Sequence, residues 1–147
     1  MTAIRRFDHV GITVADLPRA VDFFLRLGLE HVGGPQPIEG EFIDVVTGIP
    51  GSRAEIVMLR APGGDTCLEL STFHHPDLLP GQPDAMANHV GLRNVAFEVD
   101  DVPALVEQLA TDGYGLVGGI GEYEGTWRMA YVRGPEGVVV SLAQRLA

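Results

Sequence analysis

The stretch FDHVGITVADLPRAVDFFLRLGLEHVGG (7–34) is matched 85 positions later by LRNVAFEVDDVPALVEQLATDGYGLVGG (92–119). Val10, Val14, Asp16, Pro18, Val21, Gly28, Val32, Gly33 and Gly34 meet identical residues at Val95, Val99, Asp101, Pro103, Val106, Gly113, Val117, Gly118 and Gly119. The chain therefore holds two copies of one supersecondary unit. The same offset sets His9 opposite Asn94, and a gapped match of VMLRAPGGDTCLEL (57–70) with AYVRGPEGVVVSL (130–142) sets Glu69 opposite Ser141. Where the first copy offers imidazole and carboxylate, the second offers amide and hydroxyl.

Periodicity gives each copy its elements. From Phe7 to Val14, Val10, Ile12 and Val14 alternate with His9, Gly11 and Thr13, the pattern of a strand with one buried and one polar face. Asp16 reads as a helix N-cap and Pro18 fits the first turn, where its missing N–H is not needed. Ala20, Phe23, Phe24 and Leu27 form an apolar stripe that Gly28 ends. In the second copy Val95, Phe97 and Val99 alternate with Asn94, Ala96 and Glu98. Asp101 follows as cap, Ala104, Leu105 and Leu109 as stripe, and Gly113 as terminator.

Strand-like sequence follows each helix: 31–34, 54–60 and 65–73 in the first copy, 115–118, 127–133 and 138–142 in the second. Turns at Arg60-Ala61-Pro62-Gly63-Gly64 and Gly134-Pro135-Glu136-Gly137 connect the last pair of each. Each copy reads β-α-β-β-β. The expectation is one α+β domain over 1–147, with modules at 5–73 and 91–147 joined by a connection at 74–90. An irregular stretch, Pro35–Ser52, is expected to interrupt the first module. Alternation in the closing strands places Glu69 and Ser141 on the face away from the aliphatic side chains, with His9 and Asn94. The expected architecture is a curved mixed sheet whose polar faces combine into a central cleft.

Bulk properties narrow the function. With 46% hydrophobic and 20% charged residues, a chain of 147 residues has the composition of a globular domain able to bury a core. A formal charge of −10, with no Lys/Arg cluster, argues against nucleic acid and anionic lipid as partners. No apolar run is long enough for a signal peptide or a membrane span, so a cytoplasmic location is expected. Cys67 is the single cysteine, which excludes an intramolecular disulfide and a thiolate cluster, and it reads as a small apolar strand residue.

Together, FDHVGITVADLPRAVDFF, CLELSTF, GLRNVAFEVDDV and YVRGPEGVVVSL resemble the vicinal oxygen chelate superfamily, which includes glyoxalases, methylmalonyl-CoA epimerases, extradiol dioxygenases and bleomycin-resistance proteins. The resemblance implies the paired-module fold, a small-molecule ligand and a homodimer. It also implies a four-ligand metal site at His9, Glu69, Asn94 and Ser141. Metal-binding relatives carry His and Glu at the last two positions. Here a neutral amide and a hydroxyl stand there, which are weak ligands for Zn, Ni or Fe. The expectation is therefore a degenerate metal site with no firm cofactor; a divalent metal, where one is held, would rest on His9 and Glu69. His74, His75 and His89 are substitute ligands to weigh, although the bland reading as loop histidines is preferred for them. The extradiol triad of two His and a carboxylate is not assembled at the matching positions.

Three functions compete. The first is an isomerase, epimerase or lyase in which Glu69 is the general base and His9 the partner acid. Asn94 and Ser141 then donate hydrogen bonds, and Arg128, Tyr123 and Trp127 complete the binding site. The second is a non-catalytic binding protein that sequesters a small molecule. The third is a metal-dependent glyoxalase or epimerase with an unusual ligand set.

Overall fold

The computed structural model describes residues 3–147. The chain divides into two compact units, with the boundary between Pro80 and Gly81.

In the first unit, β1 (His9–Thr13) leads into α1 (Leu17–Leu27), β2 (Glu30–Glu39), α2 (Glu41–Thr47), β3 (Arg53–Arg60) and β4 (Cys67–His75). The sheet order is β1-β4-β3-β2, with β1 parallel to β4 and the other pairs antiparallel. The cap and terminator act as the sequence indicates. The Asp16 carboxylate accepts from the Arg19 N–H at 3.1 Å, and Gly28 ends the helix at φ 113, in the left-handed region glycine tolerates. Leu17, Ala20, Phe23 and Phe24 of α1 are buried, together with Val57, Leu59, Leu68 and Leu70 from the sheet. The two phenyl rings meet edge to face with centroids 5.1 Å apart.

Pro35–Ser52 is more regular than its sequence suggests. It contains the second half of β2 and the whole of α2. Pro35 and Pro37 escape the usual exclusion from sheets because β2 is an edge strand, where a missing N–H need not break a ladder bond. Gly34 is required by close approach, since a Cβ there would strike the Ile56 carbonyl oxygen. Asp44 secures the exit from α2 by accepting from the Gly51 N–H at 2.8 Å, the Ser52 N–H at 3.2 Å and the Ser52 hydroxyl at 3.1 Å.

The second unit repeats the plan with β5 (Val95–Glu98), α3 (Val102–Thr111), β6 (Gly121–Tyr123), β7 (Trp127–Arg133) and β8 (Val139–Arg145), in the order β5-β8-β7-β6. Asp101 caps α3 through the Ala104 N–H at 2.9 Å. The helix buries Val102 and Leu109 but leaves Ala104 exposed, because its stripe starts at the first helical residue, Val102, and continues through half-buried Leu105 and Val106. The strand expected at 115–118 is reduced to a single Leu116–Val132 bridge, and the edge strand forms later, at β6. Both halves are thus four-stranded mixed sheets carrying helices, an α+β fold built by tandem repetition. No helix among the described residues is long and apolar enough to cross a membrane.

Candidate functional site

Register shows which side chains share a face. Across the first sheet, His9 aligns with Cys67 and Cys67 with Arg60; in the next row Gly11 aligns with Glu69 and Glu69 with Met58. Aligned residues project to the same side. His9 and Glu69 therefore share the face opposite α1, while Leu68, Leu70, Val57 and Leu59 fill the helix side. The chain places these two side chains together as the alternation predicts: His9 Nε2 lies 3.4 Å from Glu69 Oε2. With the two side chains 40% and 27% exposed, the pair is open to a ligand and screened by solvent.

The second contact of His9 is one that the alternation does not foresee. Its Nδ1 lies 2.7 Å from Asp8 Oδ2, and Asp8 also pairs with Arg6 at 2.7 Å. Asp8 can turn toward its neighbour because β1 begins at His9, leaving residue 8 outside the strand alternation. The hydrogen bond to His9, reinforced by the charge of Arg6, holds the Asp8 carboxyl below its ordinary value of 3.8. An adjacent Asp-His pair at a strand start was the available signal. The imidazole is gripped at one nitrogen and presents the other to Glu69, the arrangement by which a carboxylate fixes the orientation of a histidine.

In the second unit, Ser141 aligns with Ala96 and Tyr131, and Trp127, Met129, Tyr131 and Tyr123 fall on the same face. Asn94 lies just ahead of β5, exposed, with its Nδ2 3.5 Å from the Tyr131 hydroxyl. Ser141 is only 3% exposed, so its hydroxyl is a buried feature of this sheet rather than an open one. Trp127 is covered on one side by the Arg145 guanidinium, 4.4 Å from the ring centroid, and Tyr123 is 64% exposed.

Arg128 does not join that face. Its register partners are Gln144 and Glu122, on the α3 side of the sheet, and Gln144 accepts from the first N–H of α3. The guanidinium is committed to Glu122 Oε1 through Nε at 2.9 Å and Nη2 at 2.6 Å. A one-residue offset along β7 separates Arg128 from Trp127 and sends them to opposite faces.

Two of the substitute histidines, His74 and His89, are engaged elsewhere. His74 Nε2 meets Glu55 Oε2 at 2.9 Å, on the face opposite Glu69, since Glu55 aligns with Thr72. His89 Nδ1 accepts from the Met86 N–H at 2.8 Å inside the connection. Among the described residues no three or more His, Cys, Asp or Glu side chains gather in a way that could hold a metal ion.

Residues 8–131 match the family model described as Glyoxalase/Bleomycin resistance protein/Dioxygenase superfamily. The chain belongs to this superfamily. A crystal structure of a glyoxalase family protein from Bacillus cereus is 36% identical, with a TM-score of 0.94, over 99% of this chain and 97% of that one. An antibiotic-binding protein from a Streptomyces species, TnmS3, is 23% identical with a TM-score of 0.64, over 99% of both chains. The trypanothione-dependent glyoxalase I of Leishmania major is 21% identical with a TM-score of 0.64, over 96% of this chain and 87% of that one. At these lower identities the likeness is one of fold. No curated protein matches the chain.

Proposed function

We propose that this superfamily member is an isomerase, epimerase or lyase that moves a proton beside a carbonyl or carboxylate group of a small molecule. Glu69 is the base and His9 the partner acid. The observation that supports this reading is the sequence of contacts Asp8–His9–Glu69, with 2.7 Å on one side of the imidazole and 3.4 Å on the other. A ligand carbon over Glu69 gives its proton to the carboxylate. The electron pair left behind moves into the carbonyl, and His9, held at Nδ1 by Asp8, donates from Nε2–H to the developing oxyanion. Return of the proton by Glu69 to the neighbouring carbon on the same face gives isomerisation, while epimerisation takes its new proton from solvent on the opposite face.

We further propose that this chemistry runs without a resident transition metal. The resemblance puts the third and fourth ligands at Asn94 and Ser141, and a neutral amide and a buried hydroxyl are poor donors to Zn, Ni or Fe, so the ligand set reduces to His9 and Glu69, too few to retain a divalent ion. The His9 proton takes the electrophilic role. A homodimer is proposed on the strength of exposed Phe42, Val45 and Val46 along α2 and of open strand edges, for which sedimentation is the test.

Solvent exchange tests the reaction. With a panel of small oxo acids and hydroxy ketones in D2O, the wild type is expected to introduce deuterium at the carbon beside the carbonyl of at least one compound. Glu69→Gln is expected to slow this about a hundred- to ten-thousandfold. Exchange that survives Glu69→Gln sinks the assignment of the base. The second reading, a binding protein, is favoured by the aromatic face of the second unit, where Trp127, Tyr131 and Tyr123 offer stacking surface without a titrating pair. Tight binding of a compound with no exchange in either form would decide for it.

A further inference from the structure

Arg60, Cys67 and His9 are successive cross-strand partners on β3, β4 and β1, and Glu69 lies on the same face one row further along. Two strand spacings separate the backbones of Arg60 and His9, about 10 Å. Arg60 is half-buried, its Nε is closed off from solvent with no hydrogen-bond partner, and no carboxylate pairs with it among the described residues. A guanidinium drawn partly out of water without an acceptor or a counter-charge is unfavourable unless something else compensates it.

The repeat supplies a comparison within the chain. Arg133 stands at the end of β7 where Arg60 stands at the end of β3. Its Nη1 donates to the carbonyls of Pro83 at 2.9 Å and Gly137 at 3.2 Å, and its Nη2 to that of Ala85 at 2.9 Å. Gly137 completes the fastening, since a Cβ there would strike Pro83. The second copy uses its arginine to tie down the connection, whereas the first leaves the equivalent charge uncompensated on the face that holds His9 and Glu69.

We propose that Arg60 is the anion-binding residue of that face, and that the ligand is a small molecule carrying a carboxylate or phosphate group. The anion meets the terminal nitrogens Nη1 and Nη2, since Nε is occluded, and the remainder of the molecule extends toward His9 and Glu69. In a chain of formal charge −10, an anionic ligand needs a cation at the point of contact, and Arg60 provides it. This deepens the reading of His9 and Glu69 as the reacting pair and rests on it for the direction in which the ligand lies.

The test is a titration of the full-length 15N-labelled protein with malonate, inorganic phosphate and the uncharged malonamide, following the arginine Nε–Hε signals. The Arg60 signal is identified by its loss in Arg60→Lys. Malonate or phosphate is expected to move the Arg60 signal while that of Arg133 stays in place and malonamide moves neither. Arg60→Gln is expected to weaken anion binding about tenfold or more, and Arg60→Lys, which keeps the charge without the planar fork, by less. A response to malonate alone marks the group as a carboxylate, and a response to phosphate alone marks it as a phosphate. The proposal is overturned if neither anion moves the Arg60 signal, or if both Arg60 variants, folded by their amide spectra, bind the anions as the wild type does. Glu69→Gln separates the two readings. If it leaves anion binding intact and carbonyl exchange unaffected, the proton-transfer reading fails and the Arg60 subsite stands. If it abolishes exchange while anions ignore Arg60, the reverse holds.

Discussion

His9 lies between two carboxylates of different standing. Asp8, tied to Arg6 as well, holds the ring at Nδ1, and Glu69 faces its Nε2. Because the Asp8 carboxyl is lowered first by the His9 hydrogen bond and then by Arg6, its titration followed by carboxyl 13C NMR is expected below 3.8 in the wild type. In His9→Ala it should move back up toward that value. The sign follows from linkage: a folded-state value below the unfolded one means that the pair contributes above pH 3.8 and is lost as pH falls through the lower folded value. An unmoved Asp8 in His9→Ala would show that the contact is not made in solution. The donor set also sets metal content. Protein purified without chelator is expected to carry well under one transition metal per chain, and elemental analysis returning about one Zn, Ni, Fe or Co per chain, lost in His9→Ala, would overturn the metal-free reading. Arg128→Ala, on the α3 side of its own sheet and committed to Glu122, should leave ligand affinity unchanged.

The helices are held by end groups that the chain repeats almost unaltered. Removing one cap by Asp101→Ala frees the Ala104 N–H and is expected to cost about 1 kcal/mol, lowering the melting temperature by about 2–4 °C. Calorimetry on the variant checks it, and a melt identical to wild type would contradict the cap's role. Leu142→Ala, at a position with 0% exposure, is expected to cost about 2–5 kcal/mol. Caps, terminators and the strands at 54–60 and 127–133 are legible in sequence because each rests on local chemistry: a carboxylate immediately before a helix start, a glycine at a left-handed turn, a period of two. The second half of β2 and α2 are not legible, because Pro35 and Pro37 signal irregularity, and it is the edge position of β2 together with its register shift between Gly33 and Gln36 that makes them acceptable. The missing strand at 115–118 is the converse. Its residues do meet β7, through the Leu116–Val132 bridge and the Val117 N–H to the Tyr131 carbonyl, but the pairing stops too soon to make a strand, and a local pattern does not fix how far a ladder runs.

For the whole chain, the 85-residue repeat carries the fold, and the comparison of equivalent positions carries the site. His9 and Glu69 were legible because a strand period and a repeat agree on them. Asp8 was not, since it stands outside the strand, and Arg60 was not, since a charged residue before a Pro-Gly turn reads as solvated until its register with His9 is known. The misplacement of Arg128 has the same origin: distance along the sequence from a turn fixes neither the strand register nor the face. The central claim is that a small carbonyl ligand is handled at Asp8, His9 and Glu69. The five histidines, His9, His31, His74, His75 and His89, provide distinguishable reporters distributed along the chain. The most direct test follows their ring C–H signals by NMR during titration with a panel of small oxo acids. His9 is expected to move, and Glu69→Gln to change how far it moves. A saturable response in any of the other four with His9 silent would contradict it.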